Sequence, residues 1–165
     1  MIRLGLIGWP LAHSLSPVLH QRAGEISALP VDYQLYPTPP DRVNERLADL
    51  RDAGLRGVNV TIPHKAAAAA WVDRLTLQAA RLGAVNTVVF EPDGTATGHN
   101  TDVAGVRESL GPEPLGRAVL VGAGGAARAA LVALAERCDQ IHVLARRLQQ
   151  AETLVASLAP ERAIA

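Results

Sequence analysis

Residues 118–121 form a short apolar run that passes into Gly122-Ala123-Gly124-Gly125-Ala126-Ala127, and an alanine- and leucine-rich run then continues to Glu136. A strand that turns through glycines straight into a helix is the opening of a βαβ unit, which commits this part of the chain to a parallel sheet. Gly122, Gly124 and Ala127 fit the G-x-G-x-x-G/A spacing of a dinucleotide-binding turn. Gly122 permits the tight bend, Gly124 lets backbone approach a pyrophosphate, and small Ala127 lets helix and strand pack closely. Free N–H groups at the helix start attract the anion. The same turn can also serve packing alone, with no ligand.

The next strand, 141–144, ends in Ala145-Arg146-Arg147. A site for unphosphorylated ribose carries an acidic residue about 20 positions on from the glycines. No carboxylate stands here, and guanidinium forks suit a 2′-phosphate, so NADP fits better than NAD. A basic, solvated helical turn is the plainer alternative.

The first hundred residues alternate in the same α/β manner. Strands are expected at 2–7, 31–36, 57–62 and 84–90, and the turn Pro92-Asp93-Gly94 returns the chain through 95–98. Helices are expected at 17–26 with Ser16 as N-cap, from Asp41 to Gly54, at 63–72 opening on Pro63, at 76–82, and from Asn100 to Leu110. Gly111-Pro112-Glu113-Pro114 reads as a linker, and 148–158 as the last helix. The fold class is therefore α/β. A substrate domain with a mostly parallel sheet occupies 1–102, and the first part of an NADP-binding domain occupies 103–165. After the glycine loop the pattern provides too few strands for a complete dinucleotide sheet, so the expectation is a fragment of a longer protein.

The formal net charge of zero gives no argument for a nucleic-acid or membrane surface. A single cysteine, Cys138, excludes an internal disulfide framework, and the five histidines lack metal-ligand spacing, so no metal is expected. No signal peptide or membrane-length apolar run is present in the sequence, and a cytoplasmic location is the default expectation.

Lys65 is the single lysine among 16 basic residues. Where arginine serves as the general cation, a retained lysine points to what only a compact ammonium on a flexible stem provides; a solvated surface lysine is the alternative. It follows Asn59-Val60-Thr61-Ile62-Pro63-His64, a strand whose Asn59 and Thr61 share a face. That places Lys65 past a strand's carboxyl end, where open α/β sheets bind ligands. Ser14, Ser16, Asn59, Thr61, Asn86 and Thr87 are short polar residues at turns or strand ends. Each alone can be a cap or a turn support; as a set they point to a polyol or hydroxy-acid pocket. Asp102 adds a carboxylate that can meet Lys65 or simply open its helix.

Five segments, His13-Ser14-Leu15-Ser16-Pro17, Asn59 to Lys65, Gly83-Ala84-Val85-Asn86-Thr87, Gly98-His99-Asn100-Thr101-Asp102 and Gly122-Ala123-Gly124-Gly125-Ala126, resemble the shikimate dehydrogenase family in order and spacing. The resemblance implies a substrate domain followed by a Rossmann-type NADP-binding domain, and NADPH-dependent reduction of 3-dehydroshikimate to shikimate. It implies that Ser14 and Ser16 hold the substrate carboxylate, and that Asn59, Thr61, Asn86 and Asp102 bind its hydroxyls. Lys65 and Asp102 would form the catalytic pair. Gly122, Ala123, Gly124, Gly125, Ala126 and Arg146 would bind the cofactor. It implies a small-molecule partner, and a monomer or homodimer. Relatives acting on quinate in the catabolic direction, and non-catalytic ligand-binding relatives, are the competing expectations. The family's Asn-Arg-Thr phosphate motif is here Ala145-Arg146-Arg147, so Arg146 alone carries over, and Leu77 stands where relatives are commonly acidic. Family members continue beyond Ala165, so the resemblance also implies a further C-terminal part.

Overall fold

The computed structural model describes residues 1–165, which divide into two compact units, Met1–Asn100 and Thr101–Ala165. In the first, β1 (Ile2–Gly8) lies between β2 (Val31–Pro37) and β3 (Gly57–Val60), all three parallel. Parallel neighbours need long crossovers. Helices α1 (Ser16–Ile26) and α2 (Val43–Asp52) lie in those two connections. Beyond β3 come α3 (Lys65–Trp71), β4 (Arg74–Leu75), α4 (Leu77–Leu82), β5 (Thr87–Phe90) and β6 (Ala96–His99). The six strands run in the order β2-β1-β3-β5-β6-β4.

The sheet is mixed. β4 pairs parallel with β6, whereas β5 runs antiparallel to both β3 and β6. The reversal is built into 92–94. Gly94 takes a φ of 84°, and the Asp93 carboxylate accepts from Thr95 Oγ1 at 2.6 Å and Thr95 N at 3.0 Å. This is a self-bonded Asx turn that folds β6 back on β5. The Thr95 donors, the hydroxyl first, hold the Asp93 carboxyl below its ordinary value.

Leu6 and Ile7 are consecutive in β1 and face opposite sides of the sheet. Ile7 joins Leu47 and Leu50 of α2 with Val58, Val60, Val88 and Phe90 in the larger core. Leu47 is fully buried there, a burial that contributes about 1.5–3 kcal/mol. Leu6 joins Leu11 and Tyr33 in a smaller cluster.

Several helix starts differ from expectation, among them that of the helix expected from Asn100, which opens on Asp102. Ser16 is the first residue of α1 rather than its cap, because the Ser14 hydroxyl already accepts from the Ser16 N–H at 3.3 Å. Asp41 lies in a 3-10 turn, Pro40–Arg42, and α2 begins at Val43. Pro39 and Pro40 fix the entry geometry, which displaces the α-helical start. Pro63 sits in the turn closed by His64 N–H to Thr61 O at 2.9 Å, so α3 opens on Lys65 itself.

In the second unit, β7 (Gly116–Val121), β8 (Cys138–Leu144) and β9 (Ala163–Ile164) form a parallel sheet in that order. Helix α6 (Gly125–Ala135) connects the first pair and α7 (Leu148–Leu158) the second. The sequential order 1-2-3 is one half of a doubly wound dinucleotide sheet; β9, too short to carry a pattern, was not expected. Leu131 and Val132 of α6, Leu154 of α7, and Ile141 and Val143 of β8 are all buried in this unit. Helix α5 (Asp102–Leu110) belongs to this unit, and Arg107 grips Glu136 with two bonds, Nε to Oε2 at 2.9 Å and Nη2 to Oε1 at 2.7 Å. The chain thus changes unit at Asn100/Thr101, and 111–114 is a loop inside the second unit. No helix is long and apolar enough to cross a membrane.

Candidate functional site

Strand direction gathers the polar residues of the first unit. Because β1, β2 and β3 are parallel, their carboxyl ends share one edge, tied by Thr38 N–H to Gly8 O at 3.0 Å and Thr61 N–H to Ile7 O at 3.0 Å. Because β5 is antiparallel to β3, its amino end comes to that same edge, and Thr87 is the register partner of Asn59. The Ser14–Ser16 turn follows β1, and β6 ends there with His99 opposite Thr87. Residues from positions 14 to 100 therefore meet at one rim.

The side chains are linked. Tyr33 Oη donates to Asn59 Oδ1 at 2.7 Å, Asn59 Nδ2 donates to Thr87 Oγ1 at 3.1 Å, and Thr87 Oγ1 donates to Asn86 Oδ1 at 3.0 Å. At the other end Ser14 Oγ donates to Ser16 Oγ at 3.2 Å. The three bonds that begin at Tyr33 run in one sense, from its phenol to Asn86. Burial pushes the Tyr33 phenol up to about 12, which keeps it a neutral donor. Its ring stacks on His20 of α1 at 4.2 Å.

Thr61 sits just past β3, and its methyl packs where a Cβ on Gly8 would stand. Lys65 opens α3, half-buried, with its carbonyl accepting from Val85 N–H at 2.9 Å. The preceding His64 is buried, its Nε2 2.7 Å from Thr38 O, which ties this helix start to the loop after β2. Asn100 is buried and donates to Ala84 O at 3.0 Å. Asp102, two residues further on, opens α5 and falls in the second unit, whereas Ser14, Ser16, Asn59, Thr61, Lys65 and Asn86 all fall in the first.

Tyr33 and His64 were not among the expected site residues. A buried tyrosine needs a partner for its hydroxyl, but nothing local marks Asn59, 26 residues away, as that partner.

In the second unit the glycine loop stands at the carboxyl edge of β7. Gly122 takes a φ of 115°, a conformation that favours glycine, and its N–H donates to Leu144 O at 2.7 Å. A Cβ at Gly122 or Gly124 would meet no protein atom within 4 Å, so the loop's outer face is open backbone. Gly124 precedes α6, whose 11 residues begin at Gly125; Ala123 lies between the two glycines, Ala126 is exposed, and Ala127 is buried against the sheet. Arg146 lies two residues past Leu144, the register partner of Val121, so it shares the loop's edge; it is exposed and engages in no ion pair. Open glycines, a helix start and an adjacent guanidinium fit a phosphorylated dinucleotide.

Fold and loop define the class: two α/β units in series, a mixed-sheet unit followed by one with a dinucleotide-type parallel sheet. Residues 6–88 match the family model described as the shikimate dehydrogenase substrate binding domain. The chain belongs to the shikimate dehydrogenase family. A shikimate dehydrogenase (NADP(+)) of Methylobacterium radiotolerans is 46% identical over 167 residues, covering 96% of this chain and 59% of the relative. Shikimate 5-dehydrogenase of Thermus thermophilus, solved with NADP(H) and shikimate, is 39% identical with a TM-score of 0.89, over 100% of this chain and 63% of that one. Quinate dehydrogenase of Corynebacterium glutamicum, solved with NAD, is 33% identical with a TM-score of 0.89, over 99% of this chain and 63% of that one. The chain spans about half to three-fifths of the length of the curated relatives it matches.

Proposed function

We propose that the protein reduces 3-dehydroshikimate to shikimate with NADPH, as a cytoplasmic enzyme of aromatic amino-acid biosynthesis acting as a monomer or homodimer. The observation that carries this reading is the row of bonded side chains from Tyr33 through Asn59 and Thr87 to Asn86 at one sheet edge, with the bonded Ser14–Ser16 pair and with Lys65 opening a helix there. Ser14 and Ser16 turn their hydroxyl protons to the substrate carboxylate. Asn59, Thr61 and Asn86 bind ring hydroxyls. NADPH, when bound along Gly122 to Ala126 with its 2′-phosphate on Arg146, supplies a hydride to the ring ketone. The Lys65 ammonium stabilises negative charge gathering on the ketone oxygen and gives it a proton, completing the alcohol. Asp102 follows Asn100 by two residues; it accepts from a substrate hydroxyl and orients Lys65. On this reading 1–102 is the catalytic substrate domain and 103–165 the opening of the cofactor domain.

A second reading, quinate oxidation, is favoured by the likeness to the solved quinate dehydrogenase. Initial rates with shikimate and quinate, each with NADP and NAD, separate the two. They should be taken on this chain and on one carried to the length of its relatives. Shikimate with NADP should be the fastest pair by about tenfold or more, the scale set by one charge-assisted contact. Comparable rates with NAD, or faster quinate oxidation, would sink the assignment.

A further inference from the structure

We infer that Tyr33 is a positioning residue for the proposed substrate pocket, fixing the orientation of the Asn59 amide so that Nδ2 keeps a hydrogen for the ligand. The inference rests on the shikimate reading above and adds a residue and an amide orientation to it.

The argument is one of hydrogen-bond inventory. An asparagine side chain offers two acceptor sites and two donors, and a ligand hydroxyl could use either face. Here the Asn59 oxygen is taken by the Tyr33 hydroxyl at 2.7 Å, and one amide hydrogen by Thr87 Oγ1 at 3.1 Å. What is left for a ligand is the second amide hydrogen and one lone pair of an oxygen that the Tyr33 bond holds in place. Tyr33 cannot release Asn59 readily. It is 1% exposed, and its ring is held by the His20 stack. It reaches Asn59 across the central strand, since Tyr33 pairs with Leu4, and Asn59 with Leu6.

The test is calorimetric titration of shikimate into the wild-type chain and into Tyr33→Phe, Asn59→Ala and the double variant. Phenylalanine keeps the ring and the stack and removes only the hydroxyl. Tyr33→Phe should weaken binding about tenfold, the scale of one neutral hydrogen bond with its orienting effect. The double variant should bind no more weakly than Asn59→Ala alone, because Tyr33 acts through Asn59. A loss of packing would not show that dependence: it would persist, additive, in the Asn59→Ala background. Unchanged binding by Tyr33→Phe, or full additivity, overturns the inference and leaves the shikimate reading standing. Failure of the wild type to bind shikimate overturns both. In the unmutated protein the Tyr33 hydroxyl proton should exchange slowly and show a nuclear Overhauser contact to the Asn59 amide. A fast-exchanging proton without that contact overturns the inference even if the variant does not fold.

Discussion

The two candidate sites are made of different material. The rim of the first unit is made of side chains: Ser14 bonds Ser16, and Tyr33, Asn59, Thr87 and Asn86 bond in a row, before any ligand arrives. The loop of the second unit is made of backbone: Gly122 and Gly124 present peptide groups to open space, with Arg146 past the end of the neighbouring strand. A side-chain site can choose among hydroxyls and carboxylates, since each group brings its own donor or acceptor. A backbone site recognises an anion by N–H groups and leaves selectivity to one neighbouring charge. That division suits the proposed reading, in which one small polyol is chosen and a common cofactor is held.

The comparison is broken most severely at Lys65. Lys65→Ala should lower kcat by about 10²–10⁴-fold, the usual contribution of a positioned proton donor, with shikimate affinity little changed. Steady-state rates beside equilibrium titration check this, and near-normal turnover would remove Lys65 from the chemistry. Gly122→Ala should cost about 1–3 kcal/mol of stability, because φ of 115° strains any residue with a Cβ. Denaturant unfolding measures that loss, and NADP binding should fall with it. Arg146→Ala should raise KM for NADPH about tenfold and leave KM for shikimate unchanged. An unchanged cofactor KM would show that this strand end does not read the 2′-phosphate.

The smallest effect concerns pH. Burial holds His20 below its ordinary 6.5, so the folded state favours the neutral ring that stacks on Tyr33. The unfolded chain binds that proton more readily, so the contribution of His20 to stability is present above pH 6.5 and fades as pH falls below it. The Asp93 carboxyl, held below its ordinary 3.8, acts only in a more acid window. Unfolding midpoints between pH 8 and 5 should drop less in His20→Phe than in the wild type; equal slopes would rule His20 out.

The same division explains what could be read in advance. The glycine loop, Arg146 and the helix at 148–158 are local patterns, and the structure has them where the spacing put them. Ser14, Asn59, Asn86 and Lys65 were legible as short polar residues and a lone lysine near strand ends. Their linkage was not, because it runs through Tyr33, 26 residues from Asn59, and through Asn59–Thr87, 28 residues apart. Those pairs exist only once β2 lies beside β1 and β5 turns antiparallel to β3. Likewise the two-residue strands β4 and β9 carry no periodicity, and only tertiary pairing creates them.

The central claim is that substrate recognition resides in the side chains of the first unit and cofactor recognition in the loop of the second. Calorimetric titration of shikimate and of NADP into the wild-type chain and a Ser14→Ala/Ser16→Ala variant tests it most directly. The account predicts that shikimate binding weakens by at least about tenfold, through loss of two donors to a carboxylate, while NADP binding is unchanged. Equal loss of both ligands, or unaltered shikimate binding, would contradict it.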